Sequence, residues 1–345
     1  MLTRTLRCHL RLTLAMLALC TAGAIAAVGL GADLPRGPEL AYISSRDGGY
    51  RVYAADLSYG LALRLSSERS LPCCLSWAPD GQQLVFMQHV GRNFEYFLLS
   101  SRGRGLRRLT EGNGRRGGEP SWSPDSRRFA FVSSRDSSGD VYTLDISSGD
   151  LRRLTHTPSL ETSPVWSPDG TRIAFLTRRD GRVELYIMDA DGSHLRRLTD
   201  NQSLEMTPAW LPDGRTLVFA ASTNGLIQIY ALDAEGGPWR PLADGGEPNW
   251  LPRPSPDGRQ IAFLSRRDGP TAIYVVEVNG GSPRRLTQLP IADAAPVWSP
   301  DGRRLAFVAN LGSNPEVYVM NADGSHPIRL TDNDWFTDNN PVWRP

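Results

Sequence analysis

Lysine is absent from the 345-residue sequence, in which every one of the 38 basic residues is arginine. Catalysis through a Schiff-base lysine is therefore excluded, because no side chain can form that adduct. Histidine is scarce, and the five histidines show no metal-ligand spacing. Of the four cysteines, only Cys73 and Cys74 lie outside the first 32 residues. We expect no metal site and no cofactor.

The charge balance lacks the strong positive excess of a nucleic-acid-binding protein. The formal net charge of +1 includes Arg4, Arg7 and Arg11, and it becomes −2 when these three are set aside (+1 − 3). Proteins that bind nucleic acid carry a basic patch that neutralises phosphates. We therefore expect no nucleic-acid partner.

The first 32 residues have the pattern of an export signal. A basic stretch ends at Arg11, an uncharged run of 21 residues extends from Leu12 to Ala32, and small residues at 22–27 offer a peptidase cleavage site. The run is also long enough to remain as a membrane-spanning helix, with its arginine-rich end in the cytoplasm. Both outcomes, a cleaved signal peptide and an uncleaved transmembrane anchor, stay open. Either one predicts an extracytoplasmic protein, periplasmic or at the cell surface, with residues 33–38 as a short linker.

Three sequence markers repeat through the rest of the chain with a period near 44 residues. They are a Pro-Asp-Gly-like turn, an aromatic residue in a short apolar run and an Arg-Leu-Thr-like ending, and they keep the same phase. The aromatic residue, for example, recurs from Tyr53 to Tyr318. Each unit contains four short β-forming runs split by turns. This period and this composition are typical of β-propeller blades.

The two ends of the repeat region complete each other. The first unit, which begins at Glu39, lacks the leading Trp-containing strand, and residues 341–345 supply that strand alone. Six complete units and this composite unit predict an all-β fold, a seven-bladed β-propeller of four-stranded antiparallel blades over residues 39–345. N-terminal strands pair with a C-terminal strand, and this pairing closes the ring and removes exposed sheet edges.

One unit shows the repeat motif most completely, with Val-Trp-Ser-Pro-Asp-Gly at 165–170, Tyr-Ile-Met-Asp at 186–189 and Arg-Leu-Thr at 197–199. These segments resemble the repeat of the TolB-like family of WD40-like propellers, and the resemblance extends from Glu39 to Pro345. It implies a β-propeller of this class and indicates little about function. Similar repeats occur in propellers attached to serine peptidases and in some polysaccharide lyases, so the motif does not define the function. A resemblance to TolB itself would imply a separate α/β domain and six blades, which this sequence does not show.

The loops that enter the first strand of each blade can be aligned on the proline that opens the strand. Propeller function concentrates on this face, at the mouth of the channel. The positions three and two residues before the proline form a predicted collar of Glu161, Glu205, Asp293, Asp338, Asn249, Trp250, Met206 and Asn339.

Two interpretations of the predicted collar stay open. In one, its carboxylates form an acidic ring, with Trp250 and Met206 as apolar anchors, that receives a basic partner segment. In the other, each carboxylate caps the backbone of its own loop. If the carboxylates are exposed, their replacement by amides should leave the fold intact.

Two further features lie on the same face. Cys73 and Cys74, adjacent in one of the loops, are either a strained vicinal disulfide or two small packed thiols. Arginine also recurs in the hairpin after the second strand, at Arg46, Arg135, Arg179 and Arg267. These arginines are either an outer basic ring or turn residues with solvated charge.

The predicted function is a non-catalytic, extracytoplasmic scaffold of the cell envelope that binds a protein partner or a peptide segment of basic character. Two alternatives stay open. One is a carbohydrate-active enzyme, similar to a polysaccharide lyase, that uses the channel. The other is a sensor ectodomain tethered to the membrane through residues 12–32. A cluster of histidine or acidic metal ligands inside the channel would favour the enzyme.

Overall fold

The computed structural model describes residues 26–28, 39–58, 60–66, 71–136, 138–243, 246–292, 294–310, 314–332 and 336–345. Most of the predicted leader, the predicted linker and Asp293 of the predicted collar lie outside these residues. All regular elements in the described residues are β-strands. The same residues include no helix with the length and apolar character that a membrane span needs.

The strands form seven sheets, each of which is one blade. Blade one contains β1 (Ala26–Val28), β2 (Leu40–Ser44), β3 (Arg51–Asp56), β4 (Leu61–Arg64) and β29 (Asp338–Trp343). Blade two contains β5 (Pro72–Trp77), β6 (Gln83–Val90), β7 (Asn93–Ser100) and β8 (Arg107–Arg108). Blade three contains β9 (Ser121–Trp122), β10 (Arg128–Ser133), β11 (Asp140–Asp145) and β12 (Leu151–Arg153).

The remaining four blades repeat the same order. Blade four contains β13 (Glu161–Trp166), β14 (Arg172–Thr177), β15 (Glu184–Asp189) and β16 (Arg196–Arg197). Blade five contains β17 (Leu204–Trp210), β18 (Thr216–Thr223), β19 (Leu226–Asp233) and β20 (Arg240–Pro241). Blade six contains β21 (Asn249–Pro254), β22 (Gln260–Ser265), β23 (Ala272–Glu277) and β24 (Arg284–Arg285). Blade seven contains β25 (Val297–Trp298), β26 (Arg304–Asn310), β27 (Pro315–Asn321) and β28 (Ile328–Arg329).

The C-terminal strand β29 completes blade one. It pairs antiparallel with β2, so that Leu40 lies opposite Trp343. The indole N–H of Trp343 donates to the carbonyl oxygen of Val297 in blade seven (2.9 Å). The side-chain oxygen of Asn340 accepts a hydrogen bond from the Leu75 N–H in blade two (3.1 Å). β29 therefore joins blade one to both of its neighbours, and the predicted closure of the seven-bladed ring is confirmed.

Blade one carries a fifth strand that the sequence pattern does not predict. β1 pairs in parallel with the outer strand β4, and Ala26 lies opposite Leu61. Residues 26–28 belong to the segment interpreted as an export leader. In the structure their backbone pairs with β4, which would otherwise be an exposed sheet edge. The other six blades have the predicted four strands.

The Pro-Asp-Gly turn joins the first two strands of a blade. In blade seven the Asp301 carboxylate accepts hydrogen bonds from the Ser299 hydroxyl (2.6 Å) and from the Arg303 N–H (3.0 Å). Gly302 has a φ of +68°, a conformation that costs glycine little because it has no Cβ. The turn residues therefore fix this hairpin through local hydrogen bonds.

The Arg-Leu-Thr ending attaches the fourth strand to the third. In blade four the Thr199 hydroxyl accepts from the Leu185 N–H (2.9 Å) and donates to the Glu184 carboxylate (2.7 Å). The same carboxylate pairs with Arg197 at 2.8 Å. A carboxylate that is almost completely buried is thus satisfied by the two polar residues of the motif.

The hydrophobic core lies along the middle strands of the blades. In blade seven Phe307 on β26 is fully buried and lies opposite Tyr318 on β27. Their ring centroids are 5.5 Å apart, a separation typical of stacked aromatic pairs. Tyr318 is the aromatic marker of the 44-residue repeat, and its pairing with Phe307 holds the two middle strands in register.

Candidate functional site

The first strands of blades two to six line a central cavity of about 500 Å³, called the channel cavity below. In five blades the residue just before the opening proline, or before Leu75 in blade two, has a left-handed backbone. These residues are Cys74, Ser163, Thr207, Leu251 and Asn340, with φ between +47° and +59°. Such a conformation is uncommon for residues other than glycine, and for a β-branched residue it is an outlier. Ser163, Thr207 and Leu251 line the channel cavity.

A charged pair crosses the channel cavity. Glu119 precedes the first strand of blade three, and Arg253 lies on the first strand of blade six. The Oε2 atom of Glu119 is 3.7 Å from the Nη2 atom of Arg253. The Glu119 side chain is 72% exposed, so the pair adds little stability. It does present both signs of charge to a ligand in the channel.

Glu119 and Arg253 are not among the predicted site residues, although both leave a signal in the sequence. Glu119 occupies the aligned position that holds Cys74, Ser163, Thr207, Leu251, Ala295 and Asn340 in the other blades. Arg253 likewise occupies a position that is serine, valine or alanine in the other blades. Both could have been identified from the sequence, because each is a charged residue at a repeat position that is uncharged in the other blades.

The polar residues of the predicted collar are buried. Glu161, Asn249 and Asp338 are completely buried, and Glu205 is 1% exposed, whereas Asn339 is partly buried. The expectation that the carboxylates are exposed at the rim is therefore wrong for the three described ones. Each lies at or near the start of the first strand of its blade. A role of these residues in binding stays a prediction.

The hairpin arginines are the partners of three collar residues. The pairs are Arg179 with Glu161 (3.1 Å), Arg267 with Asn249 (3.2 Å) and Arg46 with Asp338 (3.6 Å). Each guanidinium also lies over a tyrosine ring of its own blade, 4.7 to 5.3 Å from the ring centroid. The collar and the arginine ring, which the sequence analysis treated separately, form one internal network in these blades.

Glu161 shows this network in its most complete form. Its carboxylate accepts hydrogen bonds from the hydroxyls of Thr155 (2.8 Å), Thr157 (2.8 Å) and Thr177 (3.1 Å), and from Arg179 (3.1 Å). Thr155 and Thr157 follow the last strand of blade three, and the other two donors belong to blade four. The buried carboxylate is therefore fully satisfied and ties two blades together.

Blade five lacks two of these donors. The residue 44 positions after Arg179 is Thr223, and the residue 44 positions after Thr177 is Ala221. Ala221 lies opposite Glu205 in the β-ladder, as Thr177 lies opposite Glu161 in blade four. The structural equivalence of the positions is therefore direct, and Glu205 has no hairpin arginine.

Glu205 consequently has an incomplete set of partners. Its Oε1 atom accepts a hydrogen bond from the Asn201 amide (2.7 Å), but its buried Oε2 atom has no hydrogen-bond partner among the described residues. Burial raises the pKa of Glu205 to about 7, and the nearby Glu184 adds to the rise, while Asn201 and Arg197 oppose it. Glu205 is thus a buried acid whose ionised form is poorly stabilised.

Two smaller cavities open beside the channel cavity. The Trp250 cavity, of about 360 Å³, is lined by Trp250, Met206, Ile227 and Arg266 among others. The Glu205 cavity, of about 370 Å³, is lined by Leu160, Thr162, Ser163, Leu176, Thr177, Arg178, Val183, Leu204, Glu205, Met206 and Thr207. Thr207 lines all three cavities. The structure therefore brings the two predicted anchors, Met206 and Trp250, into one cavity.

The repeat region matches the TolB beta propeller domain over residues 34–163, 155–253 and 247–345. The chain belongs to the TolB-type β-propeller family. No curated protein matches it in sequence.

Solved structures share the fold of this TolB-type propeller at low sequence identity. TolB from Acinetobacter baumannii is 20% identical, with a TM-score of 0.60 over 86% of this chain and 80% of that chain. Oligogalacturonate lyase from Vibrio parahaemolyticus is 14% identical, with a TM-score of 0.68 over 83% and 87%. A puromycin-hydrolyzing peptidase from Mycobacterium tuberculosis is 18% identical, with a TM-score of 0.61 over 76% of this chain and 46% of that chain. The fold is thus common to proteins of different function.

The structure has no disulfide bond between Cys73 and Cys74 of this TolB-type propeller. They are partly buried and pack against the core between blades two and three. The hydrogen bond between them lowers the pKa of Cys73 and raises that of Cys74. A disulfide between them stays a prediction.

Reactive groups are few in the described part of the channel. The charged residues that line the channel cavity are Glu119 and Arg253. In the described residues no group of three or more His, Cys, Asp or Glu side chains is arranged to hold a metal ion. In the channel cavity, Glu119 and Arg253 are therefore the charges that a ligand can contact.

The raised pKa of Glu205 makes the stability of the propeller depend on pH. The folded-state pKa, about 7, lies above the ordinary value of 4.5, so the folded protein holds this proton more tightly than the unfolded chain. The resulting stabilisation is complete below the unfolded-state pKa and is lost as the pH rises towards 7. Glu205→Gln is expected to raise the free energy of unfolding by roughly 2 to 3 kcal/mol at pH 8, with little effect at pH 4.

Urea denaturation of wild type and Glu205→Gln at the two pH values measures this effect. Glu119→Gln is the control, since it removes an exposed carboxylate and should change the stability little at either pH. A stability difference between Glu205→Gln and wild type that does not vary with pH would contradict the assignment.

Proposed function

We propose that the protein is a non-catalytic scaffold of the cell envelope that binds an extended segment of a partner protein on the channel face. The observation that carries the proposal is that Thr207 lines all three cavities, so that they adjoin one another. The two smaller cavities form a recess across blades four, five and six, next to the channel cavity. A concave surface with apolar walls and a few fixed charges suits a peptide segment that inserts alternate side chains.

The walls of the recess have the composition of a binding hot spot. Trp250 and Met206 are partly buried and share one cavity. The Arg266 guanidinium lies 5.6 Å from the Trp250 ring centroid, which holds the indole in place. Aromatic residues, methionine and arginine are enriched in protein interfaces. In this proposal apolar side chains of the partner fill the Trp250 cavity, and its charged groups reach Glu119 and Arg253.

The proposal includes an extracytoplasmic location. Its support is the pattern of the first 32 residues, in which arginines precede an uncharged run and a cluster of small residues. The segment serves either as a cleaved signal or as a membrane tether through residues 12–32. A tethered form would make the same recess the sensing surface of an ectodomain.

A polysaccharide lyase-like enzyme is the second candidate. Arg253 favours it, because a guanidinium in the channel would bind the carboxylate of an acidic sugar, and the fold is also that of an oligogalacturonate lyase. Incubation of the purified protein with oligogalacturonate separates the two candidates. Formation of unsaturated products that is lost in Arg253→Ala would support the enzyme and contradict the scaffold.

Site-specific photo-crosslinking tests the scaffold. Leu204, which lines the Glu205 cavity, and Leu195, in the hairpin on the opposite face, are 41% and 43% exposed. Each is replaced in turn by p-benzoylphenylalanine in cells that make the full chain. We expect position 204 to crosslink to one partner and position 195 to give no such product. Trp250→Ala should reduce the position-204 product about tenfold or more, and its melting temperature shows whether the variant is folded.

Two results would contradict the scaffold. One is equal crosslinking from positions 204 and 195, which would mean that the recess is not a preferred surface. The other is a position-204 product that Trp250→Ala leaves unchanged, because the apolar anchor would then contribute nothing.

A further inference from the structure

Blade four has a buried ion pair between a glutamate and a hairpin arginine, whereas blade five has the equivalent glutamate, Glu205, without the arginine. In blade four Arg179 donates to Glu161 at 3.1 Å. At the position equivalent to Arg179, blade five has Thr223, whose hydroxyl is hydrogen-bonded to the Ser203 hydroxyl at 2.8 Å. No group on the blade five hairpin therefore serves Glu205.

The Glu205 carboxylate is buried, unsatisfied and next to an open space. The residue is 1% exposed, its Oε2 atom has no hydrogen-bond partner among the described residues, and it lines the Glu205 cavity of about 370 Å³. A buried carboxylate without a partner is costly, and a cation that donates hydrogen bonds removes most of that cost. Glu205 is among the residues that line the cavity, so a cation that enters it would come close to the carboxylate.

The walls of the Glu205 cavity define the chemistry of the ligand. Leu160, Leu204, Met206 and Val183 line it with apolar surface. The side chains of arginine and lysine combine an aliphatic stem with a charged end, so the stem would pack on these walls while the end reaches the carboxylate. The exposed Arg178 also lines the cavity, and its charge disfavours a segment with several adjacent basic residues.

We propose that Glu205 is the specificity residue of the recess and binds one arginine or lysine side chain of the partner segment, flanked by apolar residues. The partner supplies in blade five the cation that Arg46 and Arg179 supply internally in blades one and four. The inference rests on the proposed scaffold function and identifies the partner chemistry that the scaffold selects. The protein itself contains no lysine, so a lysine at this site comes from another chain.

The binding depends on pH through Glu205. The charged groups around the carboxylate are Glu184 and Arg197, which act on its pKa of about 7, and Arg178, which lines the same cavity. Only the ionised form of Glu205 attracts a cation, whereas arginine stays charged throughout. Affinity for an arginine-containing segment is therefore expected to fall as the pH is lowered from 8 to 5.5.

The test uses two peptides that differ in one functional group of the central side chain. Acetyl-Leu-Arg-Leu-amide carries the guanidinium, and acetyl-Leu-citrulline-Leu-amide replaces it by a neutral urea of similar size. Isothermal titration of the full-length protein at pH 8 should show at least about tenfold tighter binding of the arginine peptide, the size of effect expected when one buried charge gains its partner. This preference should vanish in Glu205→Gln.

A second variant tests the internal analogy. Thr223→Arg restores the arginine found in blade four, so it should occupy Glu205 from within, raise the melting temperature and abolish the preference for the arginine peptide. Glu119→Gln is the control, and it should keep the preference because the channel pair lies outside the Glu205 cavity. The melting temperature shows that each variant is folded.

Several outcomes overturn the proposal. They are equal binding of the two peptides, no binding of the arginine peptide to wild type, and unchanged binding of the arginine peptide by Thr223→Arg. Crosslinking from position 204 separates this inference from the scaffold function. A crosslink that persists unchanged in Thr223→Arg would refute the role of Glu205 and leave the scaffold standing, whereas its absence in wild type would refute the scaffold itself.

Discussion

Removal of residues 341–345 is expected to lower the melting temperature more than any single substitution in a blade. The deletion takes away the part of β29 that lies opposite Leu40 and Ala41, so that half of β2 becomes an exposed edge. It also removes Trp343, which is 6% exposed and bonds to Val297 in blade seven. The contact of Arg344 with the Gly81 carbonyl oxygen in blade two (2.6 Å) is lost as well. The ring would then be open between its first and last blades.

Point variants of Trp343 separate packing from hydrogen bonding at this closure. Trp343→Ala should cost about 3 to 5 kcal/mol of unfolding free energy, as expected for a buried tryptophan. Trp343→Phe keeps most of the apolar contact and loses the indole N–H, so it should cost less. Chemical denaturation measures both, and a truncated chain that melts at the wild-type temperature would show that β29 does not close the ring.

Glu161→Gln is expected to destabilise the protein by about 3 to 5 kcal/mol, the usual cost of breaking a buried ion pair. The substitution leaves the Arg179 guanidinium, whose side chain is 14% exposed, without its carboxylate. It also turns one acceptor oxygen of a four-donor network into an amide N–H₂ group that faces other donors. Urea denaturation at pH 8 gives the change in unfolding free energy.

Glu205→Gln is the matched comparison, because the same chemical change at the equivalent position of the next blade should stabilise the protein at pH 8. The opposite signs follow from one difference, the presence of Arg179 in blade four and of Thr223 in blade five. If both variants shift the stability in the same direction, the arginine does not explain the behaviour of these carboxylates.

The fold was predictable because the repeat is long and each unit carries its own turn chemistry. The Asp301 turn forms the hydrogen bonds that its sequence suggests, and the unpaired final strand around Trp343 pointed directly to β2. The fifth strand β1 was not predictable in the same way. Residues 26–28 are small and apolar, which suits an export segment and a sheet edge equally, so the sequence pattern does not indicate their pairing with β4.

The candidate site was predictable only in part. Aligning the loops identified Met206 and Trp250, which share a cavity, and it identified Glu205. It did not indicate burial, because the direction of a side chain near a β-bulge depends on backbone angles such as the φ of +47° at Thr207. Glu161 and Arg179 are 18 residues apart in the sequence, and their contact follows from the register that places Glu161 opposite Thr177.

The pairing of β2 with β29 in blade one affects the order in which the blades fold during synthesis. β2 is made early, yet its partner around Trp343 follows only about 300 residues later, a separation that makes pairing slow and leaves it until last. During that interval a growing chain exposes the open edge of β2 to water and to the strands of other copies. Blade one is therefore completed only when β29 has been made, and until then the edge of β2 is a place where a factor that protects the nascent protein would act.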